Sequence, residues 1–262
     1  MTMDYISAGD SCQPVMLFVH GWPDTGYLWE HQVAVFAKTY HCCCVHLPLF
    51  HSWPAQTYDF PQLAAMLEDT LDEILRRSGQ NQAVVIGHDW GAYLTYMLEQ
   101  LCPQKISAIV TMEVGANFKP ENVKQALYII TYQWWLIAAF FIGRIAPPVG
   151  RAMSAMIAKI ANAPRKKPLT SEMNFPYVYC WRAVLFKKYR GSLIRRYRPQ
   201  CPVLYLYGGQ KSIHFHTDHW LRTVQETTGS NVVCLDNCDH WLMVRDANKT
   251  NGLIADWLKS VS

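Results

Sequence analysis

The stretch that most constrains this chain is A-V-V-I-G-H-D-W-G-A, residues 83–92. Its four leading apolar residues, three of them β-branched, suit a strand buried on both faces, and Tyr93 to Leu101 resumes as an apolar helix pattern. Between the two, Gly87 and Gly91 stand two residues either side of Asp89. Small residues at those places let a strand turn sharply into a helix, because a Cβ there would collide with neighbouring backbone. Such a turn lifts the central side chain out of the sheet and over the start of the helix. A carboxylate held there is already an anion at neutral pH, so it can attack carbon without a base removing a proton first. The helix N-terminus helps keep it ionised. Taken alone, Asp89 also fits a helix N-cap, where Asp is favoured, but a cap requires neither the flanking glycines nor a distant histidine.

The rest of the chain alternates strands and helices around this turn. Val15 to His20 is an apolar run ending in H-G-W-P-D; Leu28 to Phe36 suits a helix, Cys42 to Leu47 a strand, Phe60 to Leu75 an amphipathic helix. Ile106 to Met112 is the next strand and ends at Glu113. Val203 to Tyr207 and Val232 to Leu235 follow, separated by a helix around Trp220 to Thr227, and Leu253 to Leu258 closes the chain. This order predicts an α/β fold with a mostly parallel sheet covered by helices on both faces. In such sheets ligands bind beyond the carboxyl ends of the strands, where His20, Asp89, Glu113 and His240 fall. Between Gly115 and Arg190 the alternation gives way to aromatic, helix-like sequence, which predicts an inserted helical cap over 115–190 on a core formed by 1–114 and 191–262.

A chain of 262 residues, half of them hydrophobic, can bury roughly 70–75% of its unfolded surface and needs no covalent staples. The nine cysteines, three adjacent at 42–44, read as reduced strand residues rather than as a metal site with His41 and His46, because no C-x-x-C pair accompanies them. His214, His216 and His219 are expected in surface or helix-cap roles. The formal charge is +4, and bases gather at Arg165, Lys166, Lys167, Lys187, Lys188, Arg190, Arg195, Arg196 and Arg198. They read first as a solvated face and second as a surface attracted to anionic membranes or nucleic acid, and no nucleic-acid motif accompanies them. The start M-T-M-D-Y-I lacks the basic and apolar segments of a signal peptide, so a cytoplasmic location is expected. Ala126 to Gly143 is 18 residues without a charge. A buried or groove-lining helix is the first account of it, interfacial membrane contact the second and a span the third.

Together H-G-W-P-D at 20–24, G-H-D-W-G at 87–91 and C-D-H-W at 238–241 resemble the α/β-hydrolase fold, and within it the branch of epoxide hydrolases and haloalkane dehalogenases. The likeness runs in order over nearly the whole chain, in the sequence nucleophile, acid, histidine that this fold uses. Asp89 stands where an esterase or lipase carries serine. The resemblance implies that Asp89 forms an alkyl ester with a small apolar substrate and that His240 activates the water that cleaves it. It also implies that the backbone N–H groups of Trp22 and Trp90 hold the oxyanion, each worth roughly 3–4 kcal/mol of barrier. No cofactor is implied, since nucleophile, base and donors all come from the chain.

Two departures from the family pattern matter. Epoxide hydrolases of this type usually place an aspartate after the strand corresponding to Val203–Tyr207, but Gly208, Gly209, Gln210, Lys211 and Ser212 follow here. Glu113, which resembles the acid position of one group of dehalogenases, is therefore the expected partner of His240, with Asp218 in reserve. The second departure is H-L-P-L-F-H-S at 46–52, where relatives commonly show D-x-P-G-x-G-x-S. Opening an epoxide needs a proton for the developing alkoxide, and Tyr132 with Tyr177 or Tyr179 could supply it. A halide would need N–H donors, from Trp90 with Trp134 or Trp135, but Trp22 occupies the place where dehalogenases of that group carry asparagine. Epoxide hydrolysis is the preferred expectation, dehalogenation of an alkyl halide or haloacid the second, and a non-catalytic binding protein on the same fold the third.

Overall fold

The computed structural model describes residues 1–48, 58–164, 169–186, 193–194, 197–211 and 213–261. The 46–52 loop beyond Pro48, Ser212, and the bases Arg165, Lys166, Lys167, Lys187, Lys188, Arg190, Arg195 and Arg196 lie outside the described residues.

The first half of the sheet is built from β1 (Tyr5–Ala8), β2 (Val15–Val19), β3 (His41–Val45), β4 (Ala83–His88) and β5 (Ile106–Met112). β6 (Val203–Gly208) and β7 (Asn231–Leu235) complete it. Among the described residues these seven form one sheet in the order β1-β3-β2-β4-β5-β6-β7. All neighbours are parallel except β1 and β3. The sequence reading missed β1, because four residues at a sheet edge with one exposed side chain carry little periodicity. β3 and β4 lie on opposite sides of β2, so the chain reverses direction across the sheet there. The crevice beyond β2 and β4 is where a parallel sheet binds ligands.

Alternate strand residues feed two cores. Leu17, Val85, Ile109 and Tyr205 pack with α2 (Phe60–Ser78) and α3 (Trp90–Leu101) on one face. Phe18, Ile86, Val110 and Leu206 pack on the other with α1 (Glu30–Phe36) and α9 (Ala247–Val261), which starts before and contains the closing run Leu253 to Leu258. The period of two along each strand divides the apolar residues between the faces. Asp59 starts α2 with a capping box to Gln62, and Gly79 ends it in the left-handed region at φ 66°. The expected helix from Leu28 is split by a short 3-10 turn over Gly26–Trp29. Cys42, Cys43 and Cys44 are free thiols buried in β3, and burial pushes Cys42 and Cys43 up to about 12, which leaves them inert.

Between β5 and β6 the described chain is helical: α4 (Val123–Ile145), α5 (Pro147–Ile160), a 3-10 turn (Ser171–Asn174) and α6 (Phe175–Leu185). Asn122 caps α4 by accepting from the Gln125 N–H. Gly143 and Gly150 let α4 and α5 cross closely; a Cβ on Gly150 would stand 2.4 Å from the Gly143 Cα. After β6 come α7 (Asp218–Gln225) and, beyond β7, the single turn α8 (Leu242–Arg245). His214 and His216 differ from their expected surface roles. Nδ1 of His216 shares a hydrogen bond of 2.9 Å with the Tyr205 hydroxyl, the rings of His214 and His216 both pack on Tyr207, and of the three histidines only His219 is exposed. The strand β6 supplies tyrosines at positions 205 and 207, and the returning loop has to cover them.

Candidate active site

Asp89 sits at the N-cap position of α3 with φ 56° and ψ −123°, a conformation a non-glycine residue adopts at a cost. Its side chain makes no capping bond to the helix. Instead Oδ1 accepts from the Trp22 N–H at 2.8 Å, and the Trp90 N–H also bonds the carboxylate. This arrangement requires the HGWP turn and the β4–α3 turn to touch. A Cβ on Gly21 would lie 2.5 Å from Asp89 Oδ1, and one on Gly91 would lie 2.1 Å from the Val19 carbonyl oxygen. His20 holds the turn from below: its Nε2 accepts from the Leu47 N–H at 3.0 Å, and burial lowers its pKa to about 3, so it stays neutral.

The other oxygen of Asp89 faces His240. Nε2 of His240 stands 3.4 Å from Oδ2, and its Nδ1 stands 3.2 Å from Oε2 of Glu113. His240 lies on the loop between β7 and α8, and its carbonyl accepts from His88 Nε2 at 2.9 Å. Glu113 is fully buried with φ 76° at the end of β5 and reaches across to β6, where Oε1 accepts from the Gly208 N–H at 2.6 Å. Asp218, the reserve acid, is exposed at the first position of α7; the carboxylate at His240 Nδ1 is that of Glu113.

Lys211 is the group the sequence reading missed. Its Nζ pairs with Oε2 of Glu113 in a site where its own side chain is 9% exposed. The segment Gly208–Ser212 drew attention only for the carboxylate it lacks, and nothing local links Lys211 to a residue almost a hundred positions earlier. Burial opposes ionisation of Glu113, but Lys211 and His240 outweigh it and hold its pKa down to about 2. Burial likewise opposes charge on His240, yet hydrogen bonds and attraction from Asp89 and Glu113 raise it to about 9. Asp89 stays ionised despite burial because His240 faces it. At neutral pH the resting arrangement is an imidazolium between two carboxylates, with a lysine ammonium beyond the second.

Asp89 and His240 open on a cavity of about 650 Å³ roofed by the cap. Tyr132 and Tyr177 both line it, their ring centroids 6.1 Å apart. Burial raises the pKa of each, and the charge of Asp89 raises it further. Tyr132 and Gln133 form a chain with Trp181: Gln133 donates to the Tyr132 hydroxyl at 3.1 Å and accepts from the Trp181 indole at 2.7 Å. Tyr179 does not line the cavity. Two residues on a helix point about 200° apart, and its ring packs on Phe175 with the Arg182 guanidinium over it. Trp134 also faces elsewhere, against Trp181, whereas Trp135 lines the cavity. The indole N–H groups are engaged by the protein: Trp22 donates to Asn174 at 2.8 Å, Trp135 to the Met153 carbonyl at 3.1 Å, and the Trp90 side chain bonds Tyr177. Asn174 in turn donates to Ser154, which ties the HGWP turn to the cap.

Residues 14–247 match the α/β hydrolase fold family pattern. Mouse epoxide hydrolase 4 is 30% identical over 112 residues, 41% of this chain and 30% of the relative. Epoxide hydrolase A of Mycobacterium tuberculosis is 31% identical over 116 residues, 42% of this chain and 35% of the relative. These matches therefore span about a third of each relative's length. Among solved structures, an inhibitor complex of a Bacillus megaterium epoxide hydrolase superposes with a TM-score of 0.73 over 98% of this chain and 96% of that one, at 16% identity, a likeness of fold. With the family pattern covering most of its length and a parallel sheet of matching architecture, the chain belongs to the α/β-hydrolase fold family.

Proposed function

We propose that the protein hydrolyses epoxides through an ester on Asp89. The observation that carries this reading is His240 bridging Asp89 and Glu113 while two tyrosine side chains line the cavity in front of Asp89. Oδ1 of Asp89 is held by the Trp22 N–H, so Oδ2 is the attacking oxygen. As it bonds to an epoxide carbon, the carbon–oxygen bond breaks and the departing alkoxide takes a proton from Tyr132 or Tyr177. Their raised pKa values make them weak acids that release the proton only to a base as strong as the developing alkoxide.

Ester formation removes the charge of Asp89 and with it part of what keeps His240 protonated. The imidazole pKa then falls, Nε2 gives its proton to solvent, and His240 becomes a base only after the first step, taking a proton back from solvent once turnover restores the Asp89 carboxylate. It takes a proton from water, the hydroxide attacks Cγ of Asp89, and the oxyanion gathers at the N–H groups of Trp22 and Trp90. Collapse releases the diol, and the two protons of the water end on the leaving alkoxide and the tyrosinate. Glu113 keeps Nδ1 protonated and the ring oriented. The engaged indole N–H groups leave little to hold a departing halide, which favours the epoxide over the dehalogenase reading.

A single turnover of an aryl epoxide in oxygen-18 water tests the route, with mass spectrometry of the peptide carrying Asp89. Label in that peptide together with diol is expected. Turnover with an unlabelled peptide excludes the ester, and halide release from a chloroalkane without any diol from epoxides would favour the dehalogenase.

A further inference from the structure

The cap carries a surface that the catalytic reading does not use. Val123, Leu127, Ile130, Trp134, Phe141 and Ile145 recur along α4 at intervals of three, four and seven, which places them on one stripe of the helix, and all are exposed. Leu127 is 64% exposed, Phe141 51% and Ile145 90%, while Ile129, Leu136 and Phe140 on the other side are buried. Val149, Met156 and Ile160 are exposed on the neighbouring α5. The helix is long and apolar enough to cross a membrane, but its packed side shows that it lies on the core as part of the cap.

Charge separates this region from the rest. From Gly115 to Arg190 the sequence holds twelve Lys and Arg against the two acids Glu121 and Glu172, a net +10; the remainder holds twelve bases and eighteen acids, a net −6. Glu172 is buried, whereas Lys124, Arg144, Arg151 and Lys159 on α4 and α5 are exposed. An apolar stripe with exposed cations on both helices and a single exposed acid, Glu121, just before α4 is the composition of helices that lie in the headgroup region of an anionic bilayer. A nucleic acid would have no use for the apolar stripe. A second copy docked by the same face would bring like charge against like.

The cavity opens on this face. Tyr128, Thr131 and Trp135 of α4, with Met156 and Ile160 of α5, line it and are at the same time exposed. We propose that the outer face of the cap docks on an anionic lipid surface, so that the mouth of the cavity opens onto the membrane and admits lipophilic molecules from it. The docking stands whatever reaction the site performs.

Sedimentation of the full chain with vesicles tests this, comparing equal parts phosphatidylcholine and phosphatidylserine with phosphatidylcholine alone. Binding is expected about ten-fold or more stronger on the anionic vesicles, weakening with salt, with tryptophan emission shifted to the blue and quenched by brominated acyl chains. Leu127→Glu, Phe141→Glu and Ile145→Glu combined should abolish the emission shift without lowering the melting temperature. Arg144→Glu, Arg151→Glu and Lys159→Glu combined should abolish the preference for anionic lipid. No vesicle binding, or binding that survives both triple variants, overturns the proposal. So does a dimer in analytical ultracentrifugation that the apolar variant dissolves while vesicles go unbound.

Discussion

The turns that end β4 and β5 are neighbours in the sheet and begin alike. Each places a carboxylate at positive φ, 56° for Asp89 and 76° for Glu113, and both carboxylates reach the same imidazole. They part in what surrounds the second oxygen. Oδ2 of Asp89 faces His240 and the cavity. Both oxygens of Glu113 are sealed, one by the Gly208 N–H and one by Lys211 with His240. Identical chemistry thus divides into an anion open to a ligand and an anion closed off to orient a ring. Access rather than acidity separates them, since both are held ionised.

The largest expected effect breaks the comparison at its open end. Asp89→Asn removes the proposed nucleophile and should lower epoxide turnover on the order of 10⁴-fold or more. Activity within ten-fold of the parent would show that the two carboxylates do not divide as described. Glu113→Gln acts at the closed end. It should cost roughly 10³–10⁴-fold in turnover by losing the ring's orientation, and about 3 kcal/mol of stability because Lys211 is left buried without its anion. A stable, active Glu113→Gln protein, measured by denaturant unfolding and diol assay, would refute that role.

Lys211→Met sharpens the comparison. Without the ammonium, the negative charge of Glu113 acts more fully on His240, so the pH at which ester cleavage reaches half its maximum should move upward, by about one unit. A downward move would contradict the pairing. The smallest effect is on stability against pH. His240 titrates near 9 in the fold against 6.5 in the open chain, so its contribution is complete below 6.5 and fades as pH rises through 9. Glu113 titrates near 2 against 4.5, so its contribution is complete above 4.5 and fades as pH falls through 2. Thermal unfolding should therefore be most resistant between about pH 4.5 and 6.5 as far as these two groups decide it. Asp89→Asn should flatten the alkaline fall, because one of the two anions that raise His240 is gone.

The elements legible in the sequence were those whose cause is local. Gly87 and Gly91 around Asp89 demand a sharp turn, alternating apolar runs demand a covered sheet, and a charge-free 126–143 demands a helix. What stayed hidden depends on which residues meet. Tyr177 and Tyr179 look equivalent in N-F-P-Y-V-Y, and only the phase of α6 turns one into the cavity and the other away. Trp134 and Trp135 divide in the same way on α4. His214 and His216 read as surface residues because nothing in their own segment announces the tyrosines of β6 beneath them.

By itself, then, the order of residues determined the layered α/β architecture and the bend that exposes Asp89, because strand period, helix period and the absence of a Cβ act over a few neighbouring positions. Only the tertiary structure decided that Lys211 closes the far side of Glu113 and that the cap turns an apolar, cationic face outward around the cavity mouth. Those outcomes rest on contacts and exposure between segments a hundred residues apart, where Coulomb attraction and packing act through space and leave no mark along the chain.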